Sequence, residues 1–206
     1  MISIYGFQIG PFTPASATFD SSGFLPTMLA GTRVTINGIA APLLYVSGTQ
    51  INVVAPVELT PGSFPTLQVS FTNVFILDFR LAVDPAQPQV FRHPDGSAAA
   101  INQDDTVNSK DNPAKVGDFV SIWATGVGST QGGDGQMQTA PQVLCACPIH
   151  DLLAGKDAQP AYSGAAPGMV TGVIQVNFQV NTAASGEYSL SANGKTSDPF
   201  TLFVSP

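Results

Sequence analysis

The residues able to do chemistry fall in three short stretches. Cys145, Cys147 and His150 stand as C-x-C-x-x-H. Two thiolates and an imidazole could hold a soft metal such as Zn²⁺ or Cu⁺, with Asp151 or His93 as the candidate fourth ligand. Two small, partly buried loop residues, free or oxidised, account for the same cysteines without a metal. A bridge between them would close a very small ring. Asp104, Asp105, Asn108 and Asp111, with Asn112, gather oxygen ligands within nine residues. Ca²⁺ takes about 6–8 oxygens, and alternating Asp and Asn in a turn can supply several. The spacing is not that of an EF-hand loop. Side chains bonding their own backbone in turns explain the cluster equally.

His93 and His150 are the chain's two histidines, so a Ser-His-Asp hydrolase would use one of them as its base. The run from Phe91 to Ser97 holds His93, Asp95 and Ser97 close together. Triads assemble in space, so that nearness counts for little, and no G-x-S-x-G elbow occurs. Gly126-Val127-Gly128-Ser129 lacks the strand-to-helix setting that a phosphate cradle needs. Tyr5 and Trp123 sit at matching places in two similar segments. Exposed, they would form a carbohydrate platform. Their equivalence favours a place in the core.

The elements that must position these residues read as strands. Val34-Thr35-Ile36-Asn37 and Gln50-Ile51-Asn52-Val53-Val54 alternate apolar and polar, and Leu43-Leu44-Tyr45-Val46 lies between them as a compact apolar run. Gly38, Ser47-Gly48 and Pro56 break them. In the 206 residues, 44 % are hydrophobic and 10 % charged, too apolar for disorder. Gly and Pro number 20 and 17, which suits many short strands. The net charge is −7 without a Lys or Arg cluster, which argues against nucleic acid and anionic membranes. The uncharged span 34–57 is too often broken by polar residues and Gly to cross a bilayer as a helix.

The chain repeats itself. Residues 2–10 match 120–128, Gly38 and Tyr45 match Gly155 and Tyr162, and Gln50 to Val53 match Gln175 to Phe178. Phe79 to Val83 then match Phe200 to Val204. Four anchors in one order predict two copies of one all-β unit, residues 1–84 and 85–206, each an immunoglobulin-like β-sandwich. The second copy carries eight extra residues in the loop Ser163 to Gly172, and a longer lead-in before Phe119. The first copy starts at its strand. Its N-terminus therefore reads as an internal start, with the natural chain continuing upstream and a signal peptide lying outside this sequence.

The runs GTRVTINGIAAPLLYVSGTQINVVAP, AAAINQDDTVNSKDNPAKVGDFVSIWATGVG and AYSGAAPGMVTGVIQVNFQVN resemble the Solibacter uncharacterised C-terminal domain family. That family comprises the repeat-bearing ends of large secreted acidobacterial proteins, and its units are similar to TIG/IPT modules. The resemblance covers nearly the whole chain. It implies an extracellular β-sandwich at the end of a longer polypeptide and brings no catalytic residues. The stretch 143–153 departs from the family's plain alternating strand.

The leading expectation is a non-catalytic extracellular module acting as a spacer, adhesion or assembly element. The alternatives are a small secreted hydrolase and a carbohydrate-binding module. The expected partners are a glycan or another protein, or a second copy bound through the first domain. That domain lacks the lead-in of the second copy, and so should expose a sheet edge unless residues 12–24 cover it.

Overall fold

The computed structural model describes residues 1–206 except 129, 130, 154, 183 and 184. Every regular element among the described residues is a strand, and no helix is long and apolar enough to cross a membrane. The chain forms two compact units.

The first unit comprises residues 1–85, 131–139 and 168–171. Its strands are β1 (Ile2–Tyr5), β2 (Ala15–Ser16), β3 (Thr32–Ile36), β4 (Ile39–Ala40), β5 (Leu43–Val46), β6 (Gln50–Val53), β7 (Thr66–Phe71) and β8 (Val74–Arg80). They form two antiparallel sheets, β1-β6-β5-β2 and β4-β3-β7-β8. Alternation sends Val34, Ile36, Ile51, Val53, Leu67 and Val69 into one core, together with Ile4, Leu43 and Val46. The three runs that alternate or pack tightly in sequence are β3, β5 and β6.

Two later segments complete this unit. Leu25 N–H donates to Gly135 C=O, Met137 N–H to Gly23 C=O, and Thr171 N–H to Gln136 C=O, at 2.7–2.9 Å. The first unit is therefore not one contiguous block. Backbone groups in 23–25 are satisfied by residues more than a hundred positions away, a pairing that the local patterns leading to the split at 84/85 do not carry.

The second unit comprises residues 86–130, 140–167 and 172–206. Its strands are β9 (Gln89–Val90), β10 (Ala100–Asn102), β11 (Ala114–Lys115), β12 (Phe119–Thr125), β13 (Ile149–Asp151), β14 (Lys156–Ala158), β15 (Pro160–Ala165), β16 (Val173–Gln179), β17 (Gly186–Ala192), β18 (Lys195–Thr196), β19 (Phe200–Leu202) and β20 (Val204–Ser205). One sheet runs β10-β12-β16-β15, with β9 also on β12. The other runs β14-β13-β17-β18, with β19 on β17, and β11 pairs with β20. Val176, Phe178 and Val180 face the core, while Gln175, Asn177 and Gln179 face away. Complete burial of a side chain such as Phe178 stabilises by roughly 1.5–3 kcal/mol.

The repeat is repeated in three dimensions. Ser3 lies opposite Asn52, and its match Ser121 lies opposite Asn177. β5 bulges between Leu43 and Tyr45, and β15 bulges between Pro160 and Tyr162, against the matching residues of β6 and β16. Gln50 Nε2 donates to Asn52 Oδ1 at 2.9 Å, and Gln175 Nε2 donates to Asn177 Oδ1 at 2.9 Å.

Tyr5 and Trp123 are not core residues. Ile4 and Ile122 point inward, so alternation turns their neighbours out. Tyr5 is exposed and Trp123 half-buried. Matching positions across a repeat guarantee a shared face, and here that face is the outer one.

Candidate functional site

The outer face of β14-β13-β17-β18 carries a connected polar constellation. His150 on β13 lies directly across from Asp157 on β14 and from Ser189 on β17. Side chains at such cross-strand and diagonal positions meet on one face. His150 Nδ1 is hydrogen-bonded to Asp157 Oδ1. His150 Nε2 lies 2.6 Å from Ser191 Oγ, and Ser191 Oγ lies 3.1 Å from Thr196 Oγ1 on β18.

An aspartate on Nδ1 fixes the imidazole tautomer that leaves Nε2 to accept a serine proton, the order of parts in a Ser-His-Asp triad. The parts lie on a sheet face. The backbone N–H of Ser191 donates to Pro148 C=O at 3.0 Å, and that of Ser197 to Leu190 C=O at 2.8 Å. These neighbouring donors are committed to the sheet and do not form an oxyanion hole.

His150 is thus the histidine that gains partners, and the sequence did not point to Asp157 or Ser191. The signal that finds them is register: His150 and Asp157 flank a tight hairpin, and Ser191 is two residues from His150's partner. His93 gains none of the expected geometry. Its neighbour Ser97 donates to Asp95 Oδ1 from its hydroxyl at 2.6 Å and from its N–H at 3.0 Å. The Ser97 hydroxyl holds the Asp95 carboxyl below its ordinary range. His93, Asp95 and Ser97 form a turn, closed by Gly96 N–H on His93 C=O, rather than a triad.

Cys145 and Cys147 are joined in a disulfide. The small ring forms after all: their Cα atoms are 5.4 Å apart, within the span of such a bond. Bonded to each other, the sulfurs are not thiolates, so the C-x-C-x-x-H stretch does not present a soft-metal ligand set in this state. His150 is turned to Asp157 and Ser191 instead. Cys147 is fully buried in the second core, and Cys145 Sγ lies 3.1 Å from Ser163 Oγ.

The oxygen-rich stretch builds turns and a strand anchor. Asp104 Oδ1 accepts from the Thr106 hydroxyl at 2.5 Å and from its N–H at 3.2 Å, and the hydroxyl bond lowers the Asp104 pKa. Asn108 is buried. Its Nδ2 donates to Asn102 Oδ1 and Phe203 C=O, and its Oδ1 accepts from Phe203 N–H. That oxygen is turned toward the last strands, while Asp105 and Asp111 are exposed. Among the described residues no three His, Cys, Asp or Glu side chains converge as a metal cluster. In the glycine-rich loop, Ser129 lies outside the described residues. Asn193 Nδ2 donates to Val127 C=O at 2.9 Å, an anchor for that loop.

In the first unit, Asn37, Glu58, Phe64 and Pro65 line a shallow open cleft. No family model and no curated protein matches the chain. Among solved structures it is similar to domains 4 and 5 of the S-layer protein SbsC, with 10 % identity and a TM-score of 0.26. That likeness covers 92 % of this chain and 80 % of the other.

Proposed function

We propose that the chain is a non-catalytic extracellular module of a larger secreted bacterial protein, serving as a spacer, adhesion or assembly element. The observation that carries this reading is the identical Gln–Asn side-chain bond in both units, Gln50–Asn52 and Gln175–Asn177. What the repeat preserves is a way of holding a sheet together, as are the polar ties of Asn108 and Ser97. The Cys145–Cys147 disulfide supports an oxidising, extracytoplasmic location. The resemblance to secreted acidobacterial C-terminal domains points the same way. Binding of the full chain to a glycan array, set beside an esterase and peptidase panel, tests it. Saturable glycan binding without turnover supports adhesion, and no response in either assay leaves the spacer and assembly roles.

A second reading, a small secreted hydrolase, is favoured by the Asp157–His150–Ser191 relay. Its test is labelling of Ser191 by a fluorophosphonate, with turnover lost in both Ser191→Ala and His150→Ala. Stoichiometric labelling at Ser191 would displace the non-catalytic reading.

A further inference from the structure

The outer faces of the two units carry the same set of side chains. On β12, β16 and β15, Trp123 lies opposite Gln175, and Asn177 lies between Ser121 and Tyr162. On β1, β6 and β5, Tyr5 lies opposite Gln50, and Asn52 lies between Ser3 and Tyr45. The serine, glutamine, asparagine and tyrosine are identical in both copies, and the remaining position is aromatic in both. The buried positions between them differ: Ile51 matches Val176, and Val53 matches Phe178. Substitution of surface residues usually changes stability by less than about 0.5 kcal/mol, so stability alone does not keep an outer set alike while the core varies. The Gln–Asn bond accounts for two of these residues and leaves the serine, tyrosine and second aromatic unexplained.

The arrangement leaves hydrogen-bonding capacity unused. Gln175 Nε2 donates to Asn177 Oδ1, and among the described residues Gln175 Oε1 and Asn177 Nδ2 meet no protein partner. The same holds for Gln50 Oε1 and Asn52 Nδ2. An acceptor beside a donor suits a hydroxyl, which is both. Trp123 flanks the amide pair from β12 and Tyr162 from β15, each half-buried. Two strand spacings and two residues of rise set their Cα atoms about 12 Å apart, longer than one sugar ring. The Tyr162 hydroxyl donates to Ala165 C=O at 2.6 Å and accepts from Gln142 N–H at 3.1 Å, so its ring is ordered before any ligand arrives. β12, β15 and β16 contain no charged residue.

We propose that this face of the second unit binds a neutral oligosaccharide. Trp123 and Tyr162 stack on the apolar C–H faces of its rings, and Gln175 Oε1 and Asn177 Nδ2 bond hydroxyls between them. Sugar rings present apolar faces edged with hydroxyls and carry no charge, which matches two aromatics flanking an amide pair on an uncharged sheet. The site rests on the adhesion form of the non-catalytic reading and gives it a ligand class.

Trp123 is the chain's one tryptophan, so its emission reports this face directly. The test titrates soluble hexasaccharides of glucose, xylose, mannose and galactose into the full chain. At least one is expected to give a saturable change in emission. Gln175→Leu and Asn177→Ala keep the tryptophan, and each should raise the midpoint about ten-fold or more. No saturable change with any of these sugars overturns the proposal and leaves the spacer and assembly roles. A midpoint unchanged in both variants also overturns it, while leaving adhesion at another face. An emission change that follows protein concentration without sugar means that a second copy covers the face, and sinks the sugar site. Binding that is weakened in the variants but accompanied by release of shorter sugars supports the site and displaces the non-catalytic reading.

Discussion

His150 Nε2 lies 2.6 Å from Ser191 Oγ across a strand boundary, while the ring's other nitrogen is bonded to Asp157. The imidazole thereby ties three strands, β14, β13 and β17, on one face. His150→Ala should lower the unfolding free energy by about 1 kcal/mol in urea titration, the net worth of one or two half-exposed hydrogen bonds. A change near zero would mean that the tie is absent in solution.

Asn108 is 3 % exposed and holds both backbone groups of Phe203. Asn108→Ala leaves the Phe203 N–H and Asn102 Oδ1 without that partner, while Phe203 C=O keeps the Ala114 N–H, so it should cost about 1–3 kcal/mol by urea denaturation. Exposed Asp111→Ala should stay within about 0.5 kcal/mol. A rise in Tm on adding Ca²⁺, lost in Asp104→Ala, would instead favour cation binding by this stretch.

Gly126 has φ +78°, and a Cβ built there would lie 1.9 Å from Gln87 O. Gln87 N–H donates to Gly126 C=O at 2.7 Å, so the two segments cannot separate without losing that bond. Gly126→Ala should destabilise by about 1–3 kcal/mol or more. Gly194→Ala, at φ +74° with open space around it, should cost only the backbone part, about 1 kcal/mol. Equal Tm losses in the two variants would contradict the close approach.

Neither Cys145 nor Cys147 should react with iodoacetamide until reductant is added, and the intact peptide should be lighter by two hydrogens in mass spectrometry. The bridge closes a very short loop, so its removal should cost less than the roughly 3 kcal/mol of a 15-residue loop. Labelling of both thiols in the purified, unreduced protein would refute the bridge.

Burial pushes the Asp134 carboxyl up, opposed by the Val57 N–H bond and reinforced by Glu58. A raised folded pKa gives a stability contribution present below the unfolded value and lost as pH rises through the folded one. Asp134→Asn, which keeps an acceptor for Val57, should therefore raise Tm at neutral pH. The gain should vanish on acidification toward the ordinary carboxylate range. Asp95 and Asp104 have the opposite sign: their lowered pKa values give stability that is lost as pH falls through the folded values. Asp95→Asn should thus lower Tm at neutral pH and converge with wild type in acid.

Sequence alone determined the all-β class, the two copies and the inward faces of β3, β6 and β16. Those properties follow from local alternation and turn residues, which the chain states in every few positions. Tyr5 and Trp123 were misplaced because equivalence between copies tells which residues share a face and not which face is inside. The relay through Asp157, His150 and Ser191 was hidden for a different reason. Ser191 is 41 residues from His150, and only the pairing of β13 with β17 makes them neighbours. The same holds for Asn108 with Phe203, 95 residues away. It holds also for residues 131–139 and 168–171, which join the first unit because its backbone groups at 23–25 need partners. Strand identity is a property of a few adjacent residues, whereas register and edge coverage depend on which distant strand supplies the hydrogen bonds, and only the folded chain decides that.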